Sequence, residues 1–113
     1  MIKVEAIIRP NKLDDVKVAL DELGFTGLTV SHVMGSGKQR GITQYYRGRE
    51  YSANLLDKVK IETVVTDDRA EEVTEAISNA AFTGDIGDGK IFAYKIDNAS
   101  RIRTKEKGEA AIR

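Results

Sequence analysis

The chain has no cysteine, a single histidine and two methionines among its 113 residues. Disulfides and thiolate chemistry are therefore excluded, which suits a reducing compartment, and a soft metal ion would find few ligands. Net charge is zero, from 18 basic and 18 acidic side chains, so no global field draws the chain to nucleic acid or an anionic membrane. The apolar runs fall far short of the ~20 residues that span a bilayer, and no signal-peptide-like segment opens the sequence. The expectation from these absences is one soluble, cytoplasmic domain over residues 1–113, with a modest core.

What is present is a repeat. Ile2-Lys3-Val4-Glu5-Ala6-Ile7-Ile8 matches Val59-Lys60-Ile61-Glu62-Thr63-Val64-Val65 class for class. Both alternate apolar and charged residues, as half-buried strands do. At the same offset Phe25-Thr26-Gly27 recurs as Phe82-Thr83-Gly84. Between these marks each half carries a helical stripe, Leu13, Val16, Leu20 and Leu23 in the first, Ala70, Val73, Ile77 and Ala80 in the second. Asn11 is expected to cap the first helix, and Thr66 or Asp67 the second. A new strand follows each Phe-Thr-Gly, around Leu28–Val33 and over Ile91–Ile96. The order βαββαβ predicts a ferredoxin-like α+β fold, an antiparallel sheet with both helices on one face.

On the opposite sheet face the pattern puts Lys3, Glu5 and Ile7 beside Lys60, Glu62 and Val64, with the apolar pair Ile7 and Val64 expected together at one end. Such a face is either solvated or meets copies of itself. RNA-recognition modules share this topology but stack bases on aromatics of the central strands, and neither of these strands has one.

Two stretches resist a purely structural reading. From Gly35 to Asp57 the sequence has no sustained period, and loops beyond roughly 12–15 residues are usually functional or disordered. This one holds Lys38, Arg40, Arg47 and Arg49 against Glu50, with Tyr45, Tyr46 and Tyr51. The second is "TGDIGDGKIF", Thr83 to Phe92. Gly84, four residues, Gly89 and Lys90 approximate a phosphate loop, but Ile91 stands where Ser or Thr would hold magnesium. The glycines also follow a helix and open a strand, so no helix N-terminus faces the phosphate. Glycines still let main-chain N–H groups turn toward an anion, and Lys90 adds a charge. Gly35-Ser36-Gly37-Lys38 is a second such run, and Arg101 and Arg103 could add two cations. Taken singly, each of these is more often a turn or a solvated charge, and Asp88 opposes an anion unless it faces elsewhere.

Together the βαββαβ repeat, "YRGREY" over 46–51 and "TGDIGDGKIF" over 83–92 resemble the PII nitrogen-signalling family in register along nearly the whole chain. Arg49 departs from the small residue usual in the first motif, and Ala93 from the larger aliphatic after the second. The resemblance implies a homotrimer that binds ATP or ADP in clefts between subunits. Gly87, Asp88, Gly89 and Lys90 would hold the phosphates, with Arg101 and Arg103 approaching them. Gly37, Lys38 and Gln39 would close over them from the neighbouring subunit, and Ile7, Thr29 and Val64 would line the adenine and ribose end. It further implies that ATP recruits Mg²⁺ and 2-oxoglutarate, with Gln39 as a metal ligand, Lys58 receiving the far carboxylate and Arg9 assisting. The long loop would then meet partners (ammonium channels, nitrogen-metabolism enzymes or transcription regulators) through Arg47, recruiting the protein to the membrane where the partner is a channel. Tyr51 is a candidate for modification by a nucleotidyl group.

Two other classes stay open on the residues alone. A hydrolase on this fold lacks an evident base, since His32 is the only histidine and a lone strand histidine is usually structural. A self-assembling metal or small-ligand module is disfavoured by the shortage of soft ligands.

Overall fold

A computed structural model of the chain describes the backbone of residues 1–36, 42–46, 49–53 and 55–113, and side chains outside 37–54. Strands β1 (Ile2–Ile8), β2 (Thr29–Gly35), β5 (Leu56–Val65) and β6 (Gly89–Lys95) form one sheet in the order β2-β5-β1-β6. Every pairing is antiparallel. Helices α1 (Leu13–Glu22) and α2 (Ala70–Ala81) connect them, with a short α3 (Glu109–Ile112) near the C-terminus. This is the ferredoxin-like α+β fold that the repeat predicts.

The alternation in each strand decides which face is covered. Val4, Ala6 and Ile8 of β1 and Val59, Ile61 and Val65 of β5 are buried against Val16 and Leu20 of α1 and Val73, Ile77 and Ala81 of α2. Ala70 and Ala80 pack at the margin of this cluster, as does Leu13. Removing these apolar surfaces from water, at about 25 cal/mol per Å², favours the layer of helices over any solvated arrangement. Thr63 stands where the first repeat has Ala6, and its hydroxyl donates to the Gly27 carbonyl at 3.2 Å, so a polar group enters the core margin satisfied.

The expected caps are not used. Each helix is entered through a 3₁₀ turn, Pro10–Lys12 before α1 and Asp67–Arg69 before α2, and none of these starts has a side-chain cap. Asn11 lies inside the first turn. Thr66 flanks the second without a capping bond, and Asp67 accepts instead from the N-terminal amine at 2.7 Å. The fixed φ of Pro10 favours such a tight start.

The stretch after β2 departs further from expectation. It contains two strands, β3 (Ile42–Tyr46) and β4 (Arg49–Ala53), paired from Ile42 opposite Ala53 to Tyr46 opposite Arg49. The return strand β5 also starts at Leu56, opposite Gly35, well before the repeated motif at Val59. The tyrosines and threonine favour extended backbone, but the strands are too short for an alternating pattern to stand out.

Candidate functional site

The glycine run forms a turn tied from inside. Gly84, Gly87 and Gly89 have φ of +91°, +106° and +105°, a region that side chains with a Cβ rarely enter. Asp88 turns its carboxylate back across this turn. It accepts from the Thr83 N–H at 2.8 Å, the Gly84 N–H at 2.9 Å and Arg9 Nε at 3.1 Å, and also from the Thr83 hydroxyl. Those bonds, the Thr83 hydroxyl foremost, hold the Asp88 carboxyl well below the usual carboxylate range. The charge that argued against an anion site is thus directed into the loop and matched by Arg9.

Two cations brace the same turn. Arg9 Nη2 donates to the Ile86 carbonyl at 2.8 Å, and Lys58 Nζ donates to the Gly87 carbonyl at 2.7 Å. Burial, and then the neighbouring Arg9, push the Lys58 ammonium below its ordinary value, with Asp88 opposing. The two residues expected to meet 2-oxoglutarate therefore already hold the glycine loop in shape. Lys90 differs from both. It sits opposite Ile7 on the uncovered sheet face, exposed, and among the described residues no carboxylate pairs with it.

The register sorts the remaining candidates into two groups. At one end of the sheet lie Ile7, Arg9, Lys58 and residues 87–90. Strand β2 reaches the same end, where Gly35 pairs with Leu56 beside Lys58. Val64, opposite Lys3, lies toward the other end, and Thr29, opposite Glu62, lies level with the middle of β1. Ile7 and Val64, expected together from the repeat, are therefore apart. Ile7 faces Lys60, four residues from Val64, a separation of about 13 Å along the strand. An antiparallel pairing inverts the repeat about the facing pair Glu5 and Glu62, so equivalent positions move apart on either side of it. Arg101 and Arg103 follow β6 in the chain, between Lys95 and α3. No described hydrogen bond or ion pair joins either arginine to residues 83–90.

Gly37, Lys38, Gln39 and Arg47 lie outside the described residues. Tyr51 is placed in β4 opposite Gln44, and its side chain is outside the description. His32 is exposed rather than packed. It lines a cavity of about 380 Å³ with Pro10, Val33, Met34, Asp57 and Lys58.

The uncovered sheet face carries a charge lattice and two aromatics that the sequence reading left without a face. Lys3 pairs with Glu62 at 3.1 Å, and Lys60 with Glu62 and Glu5 at 3.5 and 3.7 Å. Glu5 and Glu62 stand directly opposite each other, an arrangement that the two lysines offset. Phe92 and Tyr94, opposite Glu5 and Lys3, remain 46% and 41% exposed. A hydrogen bond with Glu5 raises the Tyr94 hydroxyl above its ordinary pKa. Their alternation with Lys90 along β6 was the available signal. Thr83 was missed as well, because its place in the repeated Phe-Thr-Gly concealed its part in anchoring Asp88.

A braced glycine loop and a hairpin between the second and third sheet strands place the chain among small ferredoxin-like α+β domains. The comparison with known proteins is more particular. A family model described as Nitrogen regulatory protein P-II matches residues 1–106. Similar proteins include Nitrogen regulatory protein P-II of Pasteurella multocida, 54% identical, and that of Rhizobium meliloti, 55% identical. Nitrogen regulatory protein P-II 1 of Escherichia coli K12 is 53% identical. Each alignment covers 99% of this chain and 100% of the relative. The chain belongs to the P-II family. Among the described residues no helix is long and apolar enough to cross a membrane.

Proposed function

We propose that this protein is a nitrogen-signalling regulator, not an enzyme, that binds ATP or ADP between copies of itself and presents its hairpin to partner proteins. The observation that carries the reading is the separation of candidate residues along one sheet, with Ile7 and Lys90 near one end and Val64 toward the other. Ile7, Gly87, Gly89 and Lys90 form one half of a site, and Thr29, Val64, Arg101 and Arg103 the other. A second copy laid against the uncovered sheet face joins the halves, and a homotrimer closes the arrangement with three such sites. Phe92, Tyr94 and the compensated charge lattice suit burial against a like surface.

With ATP in place, Mg²⁺ and 2-oxoglutarate bind together near the base of the hairpin. Gln39 supplies a hard oxygen to the cation, and Lys58 and Arg9 share their donors between the glycine-loop carbonyls and the incoming carboxylate. Gln39→Ala is expected to keep ATP affinity within about threefold while lowering 2-oxoglutarate affinity at least ~30-fold, more than the net worth of one ordinary hydrogen bond. Titration calorimetry with ATP and magnesium present checks this. Wild-type 2-oxoglutarate affinity in the variant would remove the magnesium bridge.

Output runs through the hairpin. Arg47, between Tyr46 and Gly48, places a planar fork of five donors where a carboxylate or a ring of carbonyls can receive it. Arg47→Ala is expected to abolish docking on an ammonium channel and to leave ATP and 2-oxoglutarate affinities unchanged. Co-sedimentation with channel-bearing membranes tests this, with ADP in one arm and ATP plus 2-oxoglutarate in the other. Equal recovery of variant and wild type excludes Arg47, and equal recovery in the two arms excludes ligand control, because a ligand acts only through differential affinity for two states.

A further inference from the structure

Arg101 is engaged by its own C-terminal segment. Its Nη2 donates to the Ala111 carbonyl at 3.2 Å and to the main-chain oxygen of Arg113. Glu106 lies 3.8 Å from Nε, too far for a hydrogen bond, and Nε is buried without a partner. The enclosure is built locally. Ser100 bridges to Lys107, the Arg101 N–H donates to the Glu106 carbonyl at 2.8 Å, and Gly108, at φ +68°, turns the chain into α3. Half-buried Ala111 and Ile112 seat that last turn.

A guanidinium with one carboxylate nearby and two main-chain oxygen acceptors has the kind of partners that a phosphate would otherwise provide. We propose that residues 106–113 mask Arg101, so that a nucleotide phosphate displaces this segment as it binds. The inference rests on the assignment of Arg101 to the nucleotide phosphates. A polyphosphate prevails in the exchange because it brings more negative charge than Glu106 and satisfies Nε, which the tail leaves bare. The masked state keeps the cation folded away while the site is empty, at the expense of some nucleotide affinity.

The test uses the full chain. Saturating ATP is expected to speed hydrogen exchange over 109–112, where the Ala111 N–H donates to the Gly108 carbonyl at 3.0 Å. Unchanged or slower exchange overturns the mask. Ile112→Ser, which unseats the tail, is expected to tighten ATP binding about 3–10-fold, the scale of one net hydrogen bond. Glu106→Gln, which removes the negative charge and keeps the shape, should tighten it about twofold by the same reasoning. Unchanged or weaker binding in both variants overturns the proposal. Arg101→Ala keeps the two questions separate: wild-type ATP affinity there overturns the phosphate assignment itself, whatever the tail variants do.

Discussion

Gly89→Ala is expected to lower the melting temperature by roughly 10–25 °C, a larger loss of stability than a methyl added at Gly24, Gly27, Gly35, Gly84 or Gly108 would cause. A Cβ built on Gly89 falls 1.7 Å from the Ile7 carbonyl oxygen and 2.8 Å from its carbon. Both are backbone atoms in a paired strand, so neither can rotate away. The φ of +105° adds strain of about 1–3 kcal/mol, and forced overpacking costs a further ~1–3 kcal/mol. The start of β6 would have to leave β1, and Lys90, paired with Ile7, would leave with it. Gly27→Ala is the control, because nothing lies within 4 Å of its added methyl, and surface changes of that kind stay within about 0.5 kcal/mol. Thermal unfolding followed by circular dichroism decides the matter, and equal melting of the two variants would show that the loop yields.

Lys90→Ala is expected to weaken ATP binding about 10–100-fold while the assembled state, by sedimentation, stays unchanged. Of the three cations around the glycine loop, Arg9 and Lys58 are bonded to its carbonyls, whereas Lys90 projects from the sheet face with no carboxylate partner among the described residues. A hydrogen bond to a charged phosphate is worth about 1.5–3 kcal/mol, which gives the stated loss. ADP should lose a comparable factor if Lys90 meets the β-phosphate, and far less if it meets the γ-phosphate. Unchanged affinity for both nucleotides would detach the glycine loop from the site.

How much of this was legible in the sequence differs from element to element. The fold was readable because each half-repeat alternates cleanly, and burying Val4, Ala6 and Ile8 against Val16 and Leu20 leaves one sensible arrangement. The glycine loop was readable too, since three glycines in so short a run require backbone that other residues avoid. The relation between the halves was not. Internal similarity equates Ile7 with Val64, but an antiparallel pairing carries equivalents apart, and the point at which the two strands cross is a register that residue classes do not encode. The roles of Arg9 and Lys58 were also out of reach, because a cation that braces a carbonyl and one that awaits a carboxylate look identical in a sequence. Asp88 shows the reverse. Its charge suggested repulsion, and only the positions of Thr83, Gly84 and Arg9 show that the charge points inward. The hairpin strands and the 3₁₀ entries were missed because they depend on short pairings and tight turns.

Lys58 lies only two residues inside the start of β5, where the chain returns from the hairpin and pairs with the end of β2. Its bond to the Gly87 carbonyl makes it a tether between the glycine loop and the strand ends that lead to the hairpin. In the proposed function, a message from the glycine loop to the hairpin can pass through this contact without disturbing the helices or the buried layer. Such a layout lets the reporting arm diverge in length and composition without retuning the receiver, and lets the receiver change state at little risk to the stability of the domain.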